Sequence, residues 1–246
     1  MRTYAIVAAR SGSRGLPGKN IRPIAGHPLI AYSIAFGQAL GCERVLCSTD
    51  SAEYARIARH YGAEVPFLRS TDAASDTAME QDILRDLAAG FLRHDIPAPD
   101  LVVWLRPTFV LRDIDAVRAC VEKLKTDPQW TAARTICETE SRLYKLCGDD
   151  LLPDFDDGGK SMIRRQEVGT RYKVFSTDVI RFDPERITDD FLGRRVYGVR
   201  IPKICGLDID DAEDFGVMDA IITSSPEIAR HYIWPPRGLP YGTGSN

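Results

Sequence analysis

Ala8-Ala9-Arg10-Ser11-Gly12-Ser13-Arg14-Gly15-Leu16-Pro17-Gly18-Lys19-Asn20 follows the short apolar run from Tyr4 to Val7. A strand that runs into a loop of this kind and then into a helix is where an open α/β sheet places its ligand. The glycines let backbone N–H groups approach a phosphate closely, and the two arginines and the lysine add charge that loop amides lack. The stretch therefore reads as a triphosphate-binding loop, and it predicts an α/β fold for the rest of the chain. It is neither of the better-known phosphate loops. A P-loop needs G-x-x-x-x-G-K followed by Ser or Thr, whereas here five residues separate Gly12 from Gly18 and Asn20 stands in the hydroxyl position. A G-x-G-x-x-G fingerprint is missing too, because Gly12, Gly15 and Gly18 recur every third residue. The alternative is a Gly-rich connector with incidental charge, which has no need of three cations packed so closely.

Working outward, Pro28 to Leu40 has apolar residues at helical spacing, with Pro28 suited to a first turn. Arg44 to Asp50 reads as a strand with a polar C-terminal end, and Ser51 to Tyr61 as a helix closed by Gly62. Ala63 to Phe67 is a short extended piece, Leu68 to Thr77 a polar loop, and Ala78 to Arg93 an amphipathic helix. Leu101-Val102-Val103-Trp104-Leu105 is continuously apolar, as expected of a central parallel strand covered on both faces. Asp113 is placed to cap a helix running to Leu124, and Trp130 to Cys137 reads as a further strand. From about Glu138 to Gly169 turn residues interrupt short apolar pieces, which suggests an excursion from the main layer. Regular elements return at Tyr172 to Phe182, Val196 to Ile201 and Gly206 to Asp210, before a helix through Phe215, Met218, Ile221 and Ile222. Residues 1–233 are expected to form one domain, with a Pro- and Gly-rich tail at 234–246 that is frayed or lies on the surface. Alternating strands and helices imply a three-layer α/β architecture with a mostly parallel, Rossmann-like sheet. Functional residues should then gather at the strands' C-terminal edge.

Composition narrows the function classes. With 246 residues, 44% hydrophobic and 27% charged, the chain is an ordinary globular sequence. A formal charge of −3 argues against coating nucleic acid. The first apolar run is too short for a signal peptide, and no window approaches the roughly 20 apolar residues of a membrane span. A cytoplasmic protein with no membrane or nucleic-acid partner is expected. Cys42, Cys47, Cys120, Cys137, Cys147 and Cys205 form no C-x-x-C pair, and the four histidines have no ligand spacing, so reduced thiols are expected and zinc is not.

Two more stretches carry chemistry. In Asp208-Ile209-Asp210, strand geometry would aim both carboxylates to one face, as a hard cation such as Mg²⁺ requires. The alternative is that Asp210 or Asp211 only caps the following helix, where Asp210-Asp211-Ala212-Glu213 has capping-box spacing; this leaves Asp208 unexplained. Arg106-Pro107-Thr108-Phe109-Val110-Leu111-Arg112 ends the most apolar strand, and its arginine fork matches a carboxylate or phosphate. The alternative is an arginine paired with a nearby aspartate. Arg164-Arg165-Gln166 and Arg69 read equally well as solvated charge.

With these residues in place, the sequence resembles the acylneuraminate cytidylyltransferase family, which makes CMP-activated sialic and related nonulosonic acids. The similarity runs from Tyr4 to about Ile222. The family's first loop reads roughly Ala-Arg-Gly-Gly-Ser-Lys-Gly-Ile-Pro-Arg-Lys-Asn, matching Ala9 to Asn20 here. Other look-alikes are Ser48-Thr49-Asp50, Ala63 to Arg69, Asp76-Thr77, Pro107-Thr108 with Leu111-Arg112, Arg165-Gln166, and Leu207 to Asp210. The resemblance implies a nucleotidyltransferase fold that takes CTP and an anionic acceptor. Arg10, Lys19 and Arg14, the last in place of a usual lysine, would hold the phosphates within the loop of Ser11, Gly12 and Ser13. Asn20, Arg69 and Thr77 would face the cytidine. Asp208 and Asp210 would hold Mg²⁺ and, with Arg10 and Lys19, carry the transfer. The excursion at about 138–169 matches the family's dimerisation arm and implies a homodimer. On the acceptor side stand Arg106, Thr108, Phe109, Arg165, Gln166 and Phe175. Departures fall on that side: Arg106 and Phe109 replace Gln and Ser of a common Gln-Pro-Thr-Ser, and Phe175-Ser176 stand where an Asn-Gly pair is usual. The expectation is CMP transfer to a nonulosonic acid. The alternatives are a phosphorylated or phosphonate acceptor, which Arg106 would favour, and an inactive nucleotide-binding relative.

Overall fold

A computed structural model describes residues 1–13, 15–160, 163–185 and 190–237. In chain order the strand β1 (Thr3–Ala8) leads through the Gly-rich loop to a small ladder of β2 (Pro23–Ile24) and β3 (His27–Pro28). Next come α1 (Leu29–Leu40), β4 (Arg44–Ser48), α2 (Ala52–His60), a short α3 (Thr71–Ala74) and α4 (Glu80–Arg93). They are followed by β5 (Leu101–Leu105), α5 (Ile114–Thr126), β6 (Ala132–Thr139), β7 (Tyr144–Cys147) and β8 (Asp150–Pro153). The chain then forms β9 (Arg171–Lys173), β10 (Thr177–Arg181), β11 (Val196–Arg200), α6 (Ala212–Ser224) and α7 (Pro226–Tyr232).

The strands order as β11-β6-β10-β5-β1-β4, with β9 added to β6. The expected α/β sheet is mostly parallel in strand direction: β1, β4, β5, β6 and β11 run one way. Two strands run the other way: β9, antiparallel to β6, and β10, antiparallel to both β5 and β6, with Thr177 opposite Leu105 and Asp178 opposite Arg134. Of these, β10 lies inside the sheet. Because it runs backwards, its N-terminal end lies among the C-terminal ends of its neighbours.

The period-two alternation of β1 and β5 separates two apolar layers. Ala5, Val7, Val103 and Leu105 pack with Ile34 of α1, Ile57 of α2 and Val117 and Leu124 of α5. Tyr4, Ile6, Val102 and Trp104 pack on the other face with Leu84, Leu87 and Phe91 of α4. All five residues of β5 are 0% exposed, which accounts for their uninterrupted apolar run. A third cluster, including Leu29, Val110, Leu111, Ile209 and Met218, lies beside the candidate site.

Two expectations need correction. The loop at 68–77 contains α3, because the Ser70 hydroxyl accepts from the Ala73 N–H and nucleates a turn. Asp208-Ile209-Asp210 is extended chain after a 3-10 turn at Lys203–Gly206, not a strand; Ile209 N–H donates to the Thr108 carbonyl at 3.2 Å in place of a ladder. At the start of the tail the Trp234 ring sits edge-on to Phe36 of α1 at 6.3 Å, while residues 238–246 lie outside the described residues. All six cysteines are unbridged, and among the described residues no helix is long and apolar enough to cross a membrane.

Candidate active site

A cleft of about 720 Å³ opens at the C-terminal edge of the sheet and gathers Arg10, Ser13, Gly15, Lys19, Asn20, Arg69, Arg106, Thr108, Phe175, Asp208 and Asp210. A second hollow of about 480 Å³, at the opposite edge beside Met1, Thr3 and Glu43, holds none of the candidate site residues.

One wall is the Gly-rich loop. Ser11 anchors it by donating from its N–H and Oγ to the two oxygens of Asp50 at 2.8 and 2.7 Å. Burial alone would raise the Asp50 carboxyl, but these bonds bring it below the ordinary carboxylate range. Gly18, at φ +67°, starts the 3-10 turn Lys19–Ile21. That turn directs Lys19 Nζ onto the Ile209 carbonyl at 2.7 Å and to within 3.4 Å of Asp210 Oδ1. Gly15 is required by proximity, since a Cβ there would lie 2.6 Å from the Asp210 carbonyl oxygen. The cationic loop and the aspartate pair therefore share a backbone contact.

The other nucleotide-side residues divide. Arg10 Nη1 donates to the Ser75 carbonyl at 3.3 Å and pairs with Asp76 at 3.1 Å. Asn20 is buried, and its Nδ2 donates to the Arg10 carbonyl at 3.0 Å. Arg69 is buried against the end of β4, where Nε meets Ser48 Oγ at 3.0 Å and Nη2 the Ser48 carbonyl at 2.7 Å. Burial works against its charge. Ser11 and Gly12 do not line the cleft, nor does Thr77, whose hydroxyl lies 3.4 Å from that of Ser75. Arg14 lies outside the described residues.

Asp208 and Asp210 flank the fully buried Ile209. Asp208 Oδ1 is buried without a hydrogen-bond partner. Burial raises its carboxyl above the usual range and the Asp210 charge adds to this, against a hydrogen bond from Thr108 and the charges of Lys173 and Lys19. The cap of α6 is a different residue, Asp211, which accepts from the Glu213 and Asp214 N–H groups in a capping box with Asp214. An orphaned buried carboxylate oxygen beside a second carboxylate fits a hard divalent cation, whose remaining positions water and phosphate oxygens would fill. No group of three or more His, Cys, Asp or Glu among the described residues is placed to hold a metal.

The far wall differs from expectation. Of the two readings of Arg106, the paired one holds: it pairs with Glu80 at the start of α4 and with the buried Asp178 at 2.9 Å. Arg134 of β6 holds the other Asp178 oxygen at 2.8 Å. Thr108 and Phe175 line the cleft, but Phe109 is 0% exposed. Phe109 N–H closes a turn on the Arg106 carbonyl, and burying a ring is favourable by area alone, so it cannot contact an acceptor. Arg165 and Gln166 lie in a 3-10 turn at the base of the arm and do not line the cleft; Arg165 donates to the Thr139 carbonyl at 3.0 Å. Sequence reasoning missed Glu80, Arg134 and Asp178. The signal for the last two was a charged residue next to the apolar run of each strand, Arg134 after Ala132-Ala133 and Asp178 before Val179-Ile180.

A family model described as "Cytidylyltransferase" matches residues 4–149. The chain is 44% identical over 123 residues, half of its length, to a CMP-N,N'-diacetyllegionaminic acid synthase of Legionella pneumophila subsp. pneumophila, of which it covers 53%. It is 29% identical over 220 residues, 87% of its length, to an N-acylneuraminate cytidylyltransferase of Escherichia coli O18:K1:H7, of which it covers 51%. The chain thus spans about half the length of these relatives. Its fold is similar to that of a CMP:2-keto-3-deoxy-manno-octonic acid synthetase solved with CTP, at a TM-score of 0.65 and 16% identity, covering 91% of this chain and 99% of the other.

Proposed function

Since the chain belongs to the cytidylyltransferase family, we propose that it transfers CMP from CTP to a nonulosonic acid and releases pyrophosphate. The observation that carries this reading is the contact between the phosphate loop and the carboxylate pair, through Lys19 on Ile209 and Gly15 on Asp210. It puts cations and a carboxylate pair on one wall, where a triphosphate would lie. The names of the sequence relatives, and the CTP held by the structural neighbour, support the substrates.

In this reading Arg10 and Lys19 exchange their present partners, Asp76 and the Ile209 carbonyl, for phosphate oxygens. They would stabilise charge as the acceptor hydroxyl attacks the α-phosphorus in line. Asn20 and Arg69 border the nucleoside end. Asp208 and Asp210 would hold Mg²⁺, which when bound supplies further charge to the transferred phosphoryl group. Either aspartate could also help to deprotonate the acceptor hydroxyl. The protein would act as a cytoplasmic homodimer through its arm. The phosphorylated-acceptor alternative loses its motive, because the Arg106 charge is already met by two carboxylates.

Pyrophosphate release with CTP, Mg²⁺ and a panel of nonulosonic acids tests the proposal. Release with at least one acid is expected, and silence across the panel overturns it.

A further inference from the structure

The backbone of Phe175 has φ +84°. A bulky residue in the left-handed region is an outlier that persists only where its surroundings over-determine it, and such outliers cluster at ligand clamps. Here three contacts hold it. Arg106 Nη1 donates to the Phe175 carbonyl at 2.7 Å, and the guanidinium carbons of Arg106 and Arg134 lie 5.3 and 5.2 Å from the ring centroid. Both arginines are themselves fixed on Asp178, which the pairing of β10 with β6 sets opposite Arg134. The ring so held stays 49% exposed and lines the cleft. Its strain therefore serves no core.

Charge decides what this surface is for. Two guanidiniums meet two carboxylates, Asp178 and Glu80, so the cluster has no surplus charge to offer an anion. What it presents is an aromatic face. Against such a face an acyl or other methyl-bearing group is favoured, whereas a hydroxyl would lose water without gaining a partner.

We propose that Phe175 determines acceptor specificity, as an aromatic wall that selects an acid presenting an acylamido or methyl group at this end of the cleft over one presenting a hydroxylated chain. The proposal rests on the CMP-transfer reading of the site. Arg106 and Arg134 are positioning residues that act through the ring.

The test compares the wild type with Phe175→Asn and Phe175→Leu. Calorimetry gives the affinity for N-acetylneuraminic acid, with one acyl group, and N,N'-diacetyllegionaminic acid, with two, in the presence of Mg²⁺ and a CTP analogue uncleavable between its α- and β-phosphates. The wild type is expected to prefer the diacetylated acid. Phe175→Asn should lose tenfold or more of that preference while its affinity for the analogue stays within twofold, and Phe175→Leu should keep part of it. Asparagine tolerates the left-handed backbone, so an unchanged or higher melting temperature is expected and misfolding cannot mimic the result. The proposal is overturned if the wild type binds neither acid or shows no preference, or if Phe175→Asn changes both affinities equally or neither. Binding is read without turnover, so a lack of pyrophosphate release counts against the reaction alone.

Discussion

Asp208 carries the sharpest consequence at the scale of single residues. Its Oδ1 is buried with no partner, and burial, followed by the Asp210 charge, opposes its ionised form. A cation-free protein therefore bears a cost that Asp208→Asn would relieve. At neutral pH without divalent cations this variant is expected to be more stable by about 1 kcal/mol, a rise of roughly 2–4 °C in melting temperature. Added Mg²⁺ should stabilise the wild type by about 1.4 kcal/mol at ten times its dissociation constant, raising its melting temperature, and leave Asp208→Asn unmoved. Differential scanning calorimetry with and without Mg²⁺ checks both, and an equal response of the two proteins would remove the cation site. Asp50 works in the opposite sense. Its carboxyl lies below the ordinary range, so the folded state favours the charged form; the resulting stability is present above the unfolded value, near 3.9, and is lost as pH falls through the folded one. Asp50→Asn should cost about 1 kcal/mol once solvent screening is allowed for. It should also raise KM for CTP in a pyrophosphate-release assay by loosening the Ser11 anchor.

At the scale of elements, the start of α6 separates two roles that the sequence left overlapping. Capping-box spacing was visible across Asp210 to Glu213, but the box forms one residue later, between Asp211 and Asp214. Asp211→Ala is therefore expected to lower stability by about 1 kcal/mol in thermal melts and to keep turnover within twofold, whereas Asp210→Asn should abolish turnover with little change in melting temperature. If the two phenotypes were exchanged, Asp210 would be the cap. The Gly-rich loop, the polar end of β4, the buried run of β5 and the Asp113 cap were all legible, because each depends on local spacing or on a face pattern. The reversed direction of β10 was not. Strand direction is a long-range pairing choice with no local period, and it is what carries Phe175 to the cleft and sets Asp178 against Arg134. For the same reason the sequence left Arg106 open between an anion receptor and a paired arginine: its two carboxylate partners, Glu80 and Asp178, are remote in sequence.

For the whole molecule, the arm is the part that the rest of the chain does not explain. β7 and β8 form an isolated two-stranded hairpin, and such hairpins are marginal in water without a third strand or an apolar surface to cover them. Leu146 and Leu151 stand opposite each other on it, 70% and 65% exposed, and two residues along the same face Tyr144, 45% exposed, stands opposite Pro153. Leu143 and Leu152 add exposed apolar area nearby. A contiguous apolar patch of this kind marks an interaction surface, and a second copy of the chain would offer the same patch about a two-fold axis. The proposed homodimer places its interface here. Sedimentation equilibrium is expected to give a dimer for the wild type and a monomer for Leu146→Asp combined with Leu151→Asp, since two buried carboxylates facing their symmetry mates would be unpaired. None of the core residues contacted by the sheet is altered, so circular dichroism of the double variant should stay native. A double variant that remains dimeric would move the interface elsewhere, and a wild type that is monomeric at all concentrations would leave the hairpin without a partner of its own kind.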